Sequence, residues 1–237
     1  MKQIVYTVLL FLAVSLFSCK KAMEEVTIEK SLNEFDTLTV NSVFEIQLTQ
    51  GSSNSIRIEG AQKILENVEI AIENNTLTLS NSFKGNWLYP KKNKVRVYIT
   101  TNGLHRINSN ETSNIRTTNK LTGNEIGLVM TSKLNEANLA IDCNSFYFWN
   151  NHPCGGKVVL TGQTNELKVW SYALMAIDAS DLNTPIASVE NNSKGDCRIY
   201  CTTKLTYSIL GTGNIYLSGD PTEIIKIEES STGQLIQ

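Results

Sequence analysis

The chain has 237 residues, 41% of them hydrophobic and 19% charged, with a formal net charge of −2. That length supports a proper core, in one elongated domain or two fused subdomains. Its 21 Lys and Arg are scattered among 23 Asp and Glu, which excludes the basic stripe of a nucleic-acid-binding protein, and only four prolines with few long polar runs argue against disordered linkers.

At the N-terminus, Lys2 precedes an apolar run from Ile4 to Phe17 that is too short for a comfortable transmembrane helix. The run closes on Leu16-Phe17-Ser18-Cys19, which resembles a bacterial lipoprotein signal. Residues 1–18 are therefore read as a signal peptide. Cys19 becomes the mature N-terminus, lipidated through its sulfur and amine, and residues 19–31 form the anchor and a polar tether. An ordinary secretory signal with an incidental Cys is the alternative. The short apolar run and the polar segment after Cys19 favour lipidation. Several acyl chains, at about 0.8 kcal/mol per buried methylene, would hold the protein on a membrane durably.

Residues 32–104 are read as an N-terminal β region. Leu38-Thr39-Val40, Phe44 to Leu48, Ile56-Arg57-Ile58, Val68 to Ile72, Leu77-Thr78-Leu79 and Val95 to Ile99 all alternate apolar and polar, with Gln50-Gly51, Glu59-Gly60 and Glu73-Asn74-Asn75 at turns. The pattern predicts a meander that caps one end of the C-terminal part of the chain, as open stacks of strands require. Helix is nearly absent; only Ala61 to Glu66 suits a turn or two. The segment from Asn81 to Lys94, with Trp87 and Tyr89, reads as a longer exposed loop.

Residues 105–237 repeat. The apolar column Ile107, Leu128, Phe148, Val169, Val189, Ile209, Ile227 advances by 21, 20, 21, 20, 20 and 18 residues, and turn residues come after the same column position each time. The turns include Asn191-Asn192-Ser193-Lys194-Gly195 and Gly211-Thr212-Gly213. Each half-coil alternates over four to six residues, too short to bury its own apolar face. Stacking at the roughly 4.7 Å strand spacing turns the column into a continuous interior ladder. The fold class predicted is all-β, a parallel β-helix or solenoid with coils of about 20 residues. A two-sheet sandwich with evenly spaced hairpins is the alternative; recurrence of the turns after one column position favours the solenoid.

These residues resemble a known family. The order Phe35-x-x-Leu38-x-Val40, Phe44-x-Ile46-x-Leu48-x-Gln50-Gly51, Asn75-x-Leu77-x-Leu79 and Val95-x-Val97-Tyr98-Ile99 leads into the serial coils. It closes on Gly211-x-Gly213-Asn214-Ile215-Tyr216-x-x-Gly219-x-Pro221. From Leu32 to Gln237 the chain is similar to the bacterial envelope family named for a putative auto-transporter adhesin head domain, the GIN domain. The resemblance implies a β-helix-like fold, an envelope lipoprotein and an adhesive or ligand-binding role. The family favours a small Ser-Gly-Ala-Ser turn in each coil, from which Glu111, His152-Pro153 and Tyr172 depart.

Chemistry-bearing patterns are sparse. His105 and His152 are the only histidines, and no Gly-x-Ser-x-Gly, Ser-x-x-Lys or His-Glu-x-x-His stretch occurs. No pair of carboxylates stands out for glycosidic work. Asp142, Asp178, Asp181 and Asp196 fall at different coil phases and suit turns better than a calcium cluster. Cys143, His152 and Cys154 lack the paired spacing of a zinc site, so no metal and no cofactor are expected. Cys143, Cys154, Cys197 and Cys201 fit either pairing between coils, such as Cys143 with Cys154, or buried free thiols; Cys197 and Cys201 lie too far apart along one strand to bridge each other without a turn.

Aromatic residues give the sharper expectation. With Phe148 and Val169 inward, the period of two sends Tyr147, Trp149 and Trp170 outward on neighbouring coils, and these three with Tyr172 are the candidate ligand-binding residues. Trp149 and Trp170 would be adjacent on one outer face, suited to stacking on sugar rings or a protein partner. A loop such as 81–94 covering them would instead make a satellite core. The whole predicts a non-enzymatic outer-membrane lipoprotein of the bacterial envelope, periplasmic or surface-exposed, that binds a glycan or an envelope or host protein. A structural partner in envelope assembly and a β-helix enzyme on polysaccharide are the alternatives.

Overall fold

The computed structural model describes residues 24–84, 94–151 and 153–237. The signal peptide, Cys19, the aromatic pair Trp87 and Tyr89, and His152 lie outside them. The described chain is a β-solenoid of about six turns.

Four-residue to seven-residue apolar alternation gives one set of rungs. β1 to β9 span Glu25–Ser31, Thr37–Val40, Phe44–Gln50, Ser55–Ala61, Val68–Glu73, Thr76–Asn81, Arg96–Thr101, Arg106–Ser109 and Ser113–Thr117. A single helical turn, α1 (Gln62–Leu65), sits where a helix was expected and buries Ile64 and Leu65. Three longer runs then bend around the coil corners: β10 (Leu121–Met130), β11 (Asn135–Asn150) and β12 (Gly155–Asn183). β13 to β18 complete the stack at Ile186–Ser193, Cys197–Tyr200, Lys204–Ile209, Ile215–Ser218, Glu223–Glu229 and Leu235–Ile236.

Rungs of the coils pair in parallel, and the predicted ladder is continuous from Ile107 to Val189. Ile107 faces Leu128, Leu128 faces Phe148, Phe148 faces Val169 and Val169 faces Val189, all fully buried. The column then continues to Tyr207, which faces Val189. Ile209 is buried too, but it faces Asn191, two residues away from the predicted register, and Ile227 lies exposed at a register shift. Tyr207 and Ile209 both point inward, so alternation alone does not choose between them.

The ladder also extends backward beyond residue 105. Ile107 faces Leu38, which faces Leu77, so β2 lies in parallel between β8 and β6. β3 lies in parallel between β9 and β7, with Ile46 between Ile115 and Val97. Among the described residues, antiparallel pairing of the kind a meander implies is confined to β1 with β4, β4 with β7, and β5 with β6. The N-terminal strands thus add rungs to the same core as well as antiparallel ribbons at its end.

Corners are tight because coils ride directly on one another. A Cβ at Gly213 would run into the carbonyl of Gly195 on the coil before, so only glycine fits the Gly-Thr-Gly turn there. Inside the same corner Asn191 Nδ2 donates to the Gly213 carbonyl at 3.0 Å and to the Gly195 carbonyl at 3.2 Å, satisfying backbone that would otherwise be buried unpaired. At the C-terminal end the core column closes on charge: Tyr207 donates its hydroxyl to Glu229 Oε1 at 3.0 Å, and Lys226 bonds Glu229 Oε2 at 3.0 Å.

Candidate functional site

Strand pairing sets two outward ladders on one sheet. In one, Asn108, Val129, Trp149, Trp170 and Glu190 succeed each other coil by coil. In the other the order is Arg106, Gly127, Tyr147 and Lys168. Trp149 and Trp170 are direct register partners, and Trp149 keeps 37% of its surface exposed. Tyr147, Trp149 and Trp170 meet Val129 and Arg106 around a shallow depression of about 370 Å³.

Backbone permissiveness shapes that depression. Gly127 presents no side chain, and the Tyr147 ring packs against it: a Cβ there would clash with the hydroxyl end of the ring. Arg106, on the other side of Gly127, is thereby brought next to the aromatic group. Its Nε donates to Asn108 Oδ1 at 2.8 Å, which fixes the plane of the guanidinium.

Tyr172 stands apart from the other three predicted residues, since it does not line the depression. Its amide donates to Asn150 Oδ1 at 2.9 Å and its hydroxyl donates to Glu190 Oε1 at 2.7 Å. That hydroxyl bond, with burial and the adjacent negative charge, pushes the Tyr172 pKa up to about 12. Tyr172 and Glu190 together bound the face beyond Trp170. Arg106 and Val129 were not singled out from sequence. Val129 lies 20 residues before Trp149, so counting back one coil would have found it.

The described ends of the 81–94 segment open elsewhere. Asn81 and Lys94 line a separate apolar groove of about 420 Å³ with Val43, Phe44, Val95 and Leu134. Residues 85–93 themselves lie outside the described residues.

Other candidate chemistry is dispersed. Among the described residues no three His, Cys, Asp or Glu side chains converge as a metal site would require. Asp142 accepts from Gln163 Nε2 at 2.9 Å, Asp196 accepts the Asn214 amide at 2.9 Å, and Asp178 bonds Ser180 at 2.7 Å and Lys157 at 3.1 Å. Each of these carboxylates is occupied on its own or an adjacent coil. Cys143, Cys154, Cys197 and Cys201 are buried free thiols, which resolves the choice between bridges and thiols. Burial, reinforced by Asp196, pushes the Cys197 thiol up to about 12.

Stacked parallel coils, with Trp149 and Trp170 paired on an outer face, define a β-solenoid protein. The chain belongs to the family described as putative auto-transporter adhesin, head GIN domain, which matches residues 34–221. Solved structures share the fold. A putative adhesin from Bacteroides fragilis superposes with a TM-score of 0.80 at 20% identity, covering 90% of this chain and 96% of its own. A putative adhesin from Parabacteroides distasonis gives 0.64 at 15% identity, over 90% and 98% of the two chains. A protein from the same organism described as a putative lipid binding protein gives 0.63 at 16% identity, over 90% and 97%. No protein of curated function matches the sequence.

Proposed function

We propose that this chain is a lipid-anchored, non-enzymatic protein of the bacterial outer membrane that recognises a glycan or a protein through the face around Trp149 and Trp170. The observation that carries the reading is the register pairing of two tryptophans on an outer sheet, with Tyr147 and Arg106 beside them around one depression. Large rigid aromatic surfaces exposed together suit stacking on sugar rings or seating a partner. Membership of an adhesin family agrees with that use. Tyr172 and Glu190 shape the margin of the face, and Cys19 carries the lipid.

A glycan and envelope-protein binding screen tests the recognition, with Trp149→Ala and Trp170→Ala expected to lose the signal. Retention of the signal in both variants rules this face out. Protease shaving of intact cells separates an adhesin from an assembly partner facing the periplasm, because only the first is cleaved. Cys19→Ser is expected to move the protein from the membrane fraction into the soluble one.

A further inference from the structure

The depression is small and its two ends differ in charge. Asn108 borders Val129 on one side, and Glu190, already bonded to Tyr172, borders Trp170 on the other. The apolar run along this ladder therefore covers only three coils, Val129, Trp149 and Trp170. A stable protein interface needs roughly 800 Å² on each partner, far more than five residues in a shallow hollow provide. A sugar ring matches the hollow better, because its C–H face lies flat on an aromatic ring while its hydroxyls reach polar neighbours.

Charge then selects among sugars. Arg106 is exposed, lines the hollow, and has its plane set by Asn108. Among the described residues no carboxylate forms an ion pair with it. Lys168, the next cation along the same ladder, is by contrast taken up by Glu166 at 2.8 Å. A guanidinium with a fixed plane presents its remaining N–H groups as a fork, the arrangement that recognises carboxylate or sulfate. Glu190 at the far end repels the same anion and so sets which way it lies.

We propose that this face takes an anionic glycan lying across the coils, with a sugar ring on Trp149 and Trp170 and a carboxylate or sulfate on Arg106. The inference rests on the reading of the aromatic face as a ligand-binding surface. The acidic group belongs at the Arg106 end and neutral sugar toward Trp170.

The full chain, kept in detergent, is titrated with an oligogalacturonate, a heparin-derived oligosaccharide and a neutral malto-oligosaccharide of equal length, with calorimetry and tryptophan fluorescence as readouts. One of the two anionic probes is expected to bind about tenfold or more tighter than the neutral one, and which of them does so identifies carboxylate or sulfate. Arg106→Gln and Arg106→Glu, both at an exposed position, should abolish that advantage, bringing the affinity for the anionic probe down to that for the neutral one. Added salt should weaken only the anionic binding. Equal binding of charged and neutral probes, unaffected by Arg106→Gln but lowered by Trp149→Ala, would overturn the anionic preference and leave the aromatic platform standing. No binding of any probe, or binding indifferent to Trp149→Ala and Trp170→Ala, would overturn both and leave a protein partner as the ligand.

Discussion

The hydroxyl end of the Tyr147 ring packs against Gly127, its register partner on the preceding coil. Glycine weakens a strand interior by roughly 0.5–1 kcal/mol relative to alanine, and an aromatic ring laid across it shields the exposed backbone. Gly127→Ala should therefore destabilise the native chain by about 1 kcal/mol, since the gain in strand propensity is outweighed by about 1–3 kcal/mol of overpacking against the ring. In a Tyr147→Ala background the same substitution should change sign and stabilise by roughly 0.5–1 kcal/mol. Urea denaturation of the four proteins measures the cycle; the same effect in both backgrounds would show that the ring does not occupy that space.

Phe148 sits in mid-column between Leu128 and Val169 and is wholly buried. Phe148→Ala should lower stability by about 3–5 kcal/mol, because stacked coils cannot collapse around a missing ring. Ile227→Ala, at a residue 66% exposed, should stay within about 0.5 kcal/mol. Comparable losses at the two sites would contradict the observed register.

That contrast marks how far the sequence alone could be read. Steps of 20 and 21 residues placed Ile107 through Val189 correctly because every turn there returns the chain to the same face. The count slipped at Tyr207 and Ile209, two inward residues on one strand that alternation treats alike. β2 and β3 were harder still: their partners β8 and β9 lie about 70 residues on in sequence, past two antiparallel ribbons, and period two looks the same in parallel and antiparallel strands. At the candidate site the outward side chains of Trp149 and Trp170 were legible from their inward neighbours. Arg106 was not, because only the pairing of β8 with β10, and the missing side chain at Gly127, brings it to Tyr147.

Thiol chemistry offers an independent check on the core. Cys197 lies in a second buried column, between its register partners Ile177 and Ile215, and the hydrocarbon around it disfavours the thiolate. Cys143 and Cys154 are also raised, chiefly by burial. The four thiols of the solenoid should resist alkylation in the native protein and react together on unfolding. A mass shift of two hydrogens in the untreated protein would reveal a bridge and overturn the assignment.

Tyr172 predicts a late step in the alkaline titration. Its folded pKa, about 12, stands above the ordinary value of 10.0, chiefly through the bond to Glu190, with burial next. The neutral hydroxyl is the stabilised form, so its contribution to stability is complete below pH 10 and is lost as pH rises from there through 12. Absorbance of ionised tyrosine should show a late component, to which Tyr207, also raised, adds. Tyr172→Phe should remove part of that component, and Glu190→Gln should bring the Tyr172 step back toward 10. An unchanged late component in both variants would place it on other tyrosines.

The C-terminal end carries its own guard against association. Lys226 occupies the column position after Val189 and Tyr207, where every earlier coil has an apolar side chain, and its ammonium is bonded to Glu229. The strand that bears them, β17, is almost entirely exposed and shifts register at Ile227. Charged side chains on an edge strand and a bulge both spoil it as a template for another chain. Replacing Lys226 and Glu229 together by valine should extend the apolar ladder to the end of the stack. Because Ile224 and Ile236 are already part-exposed there, the variant gains a continuous apolar terminal face. Its weight-average mass in sedimentation should climb with concentration above that of the native chain, and also deleting Ile227 should strengthen the effect by straightening the edge. Thermal stability should change little, since the removed pair is solvent-exposed and such pairs contribute little. Equal mass for native and double-valine chains at every concentration would mean that the charged pair does not guard this end.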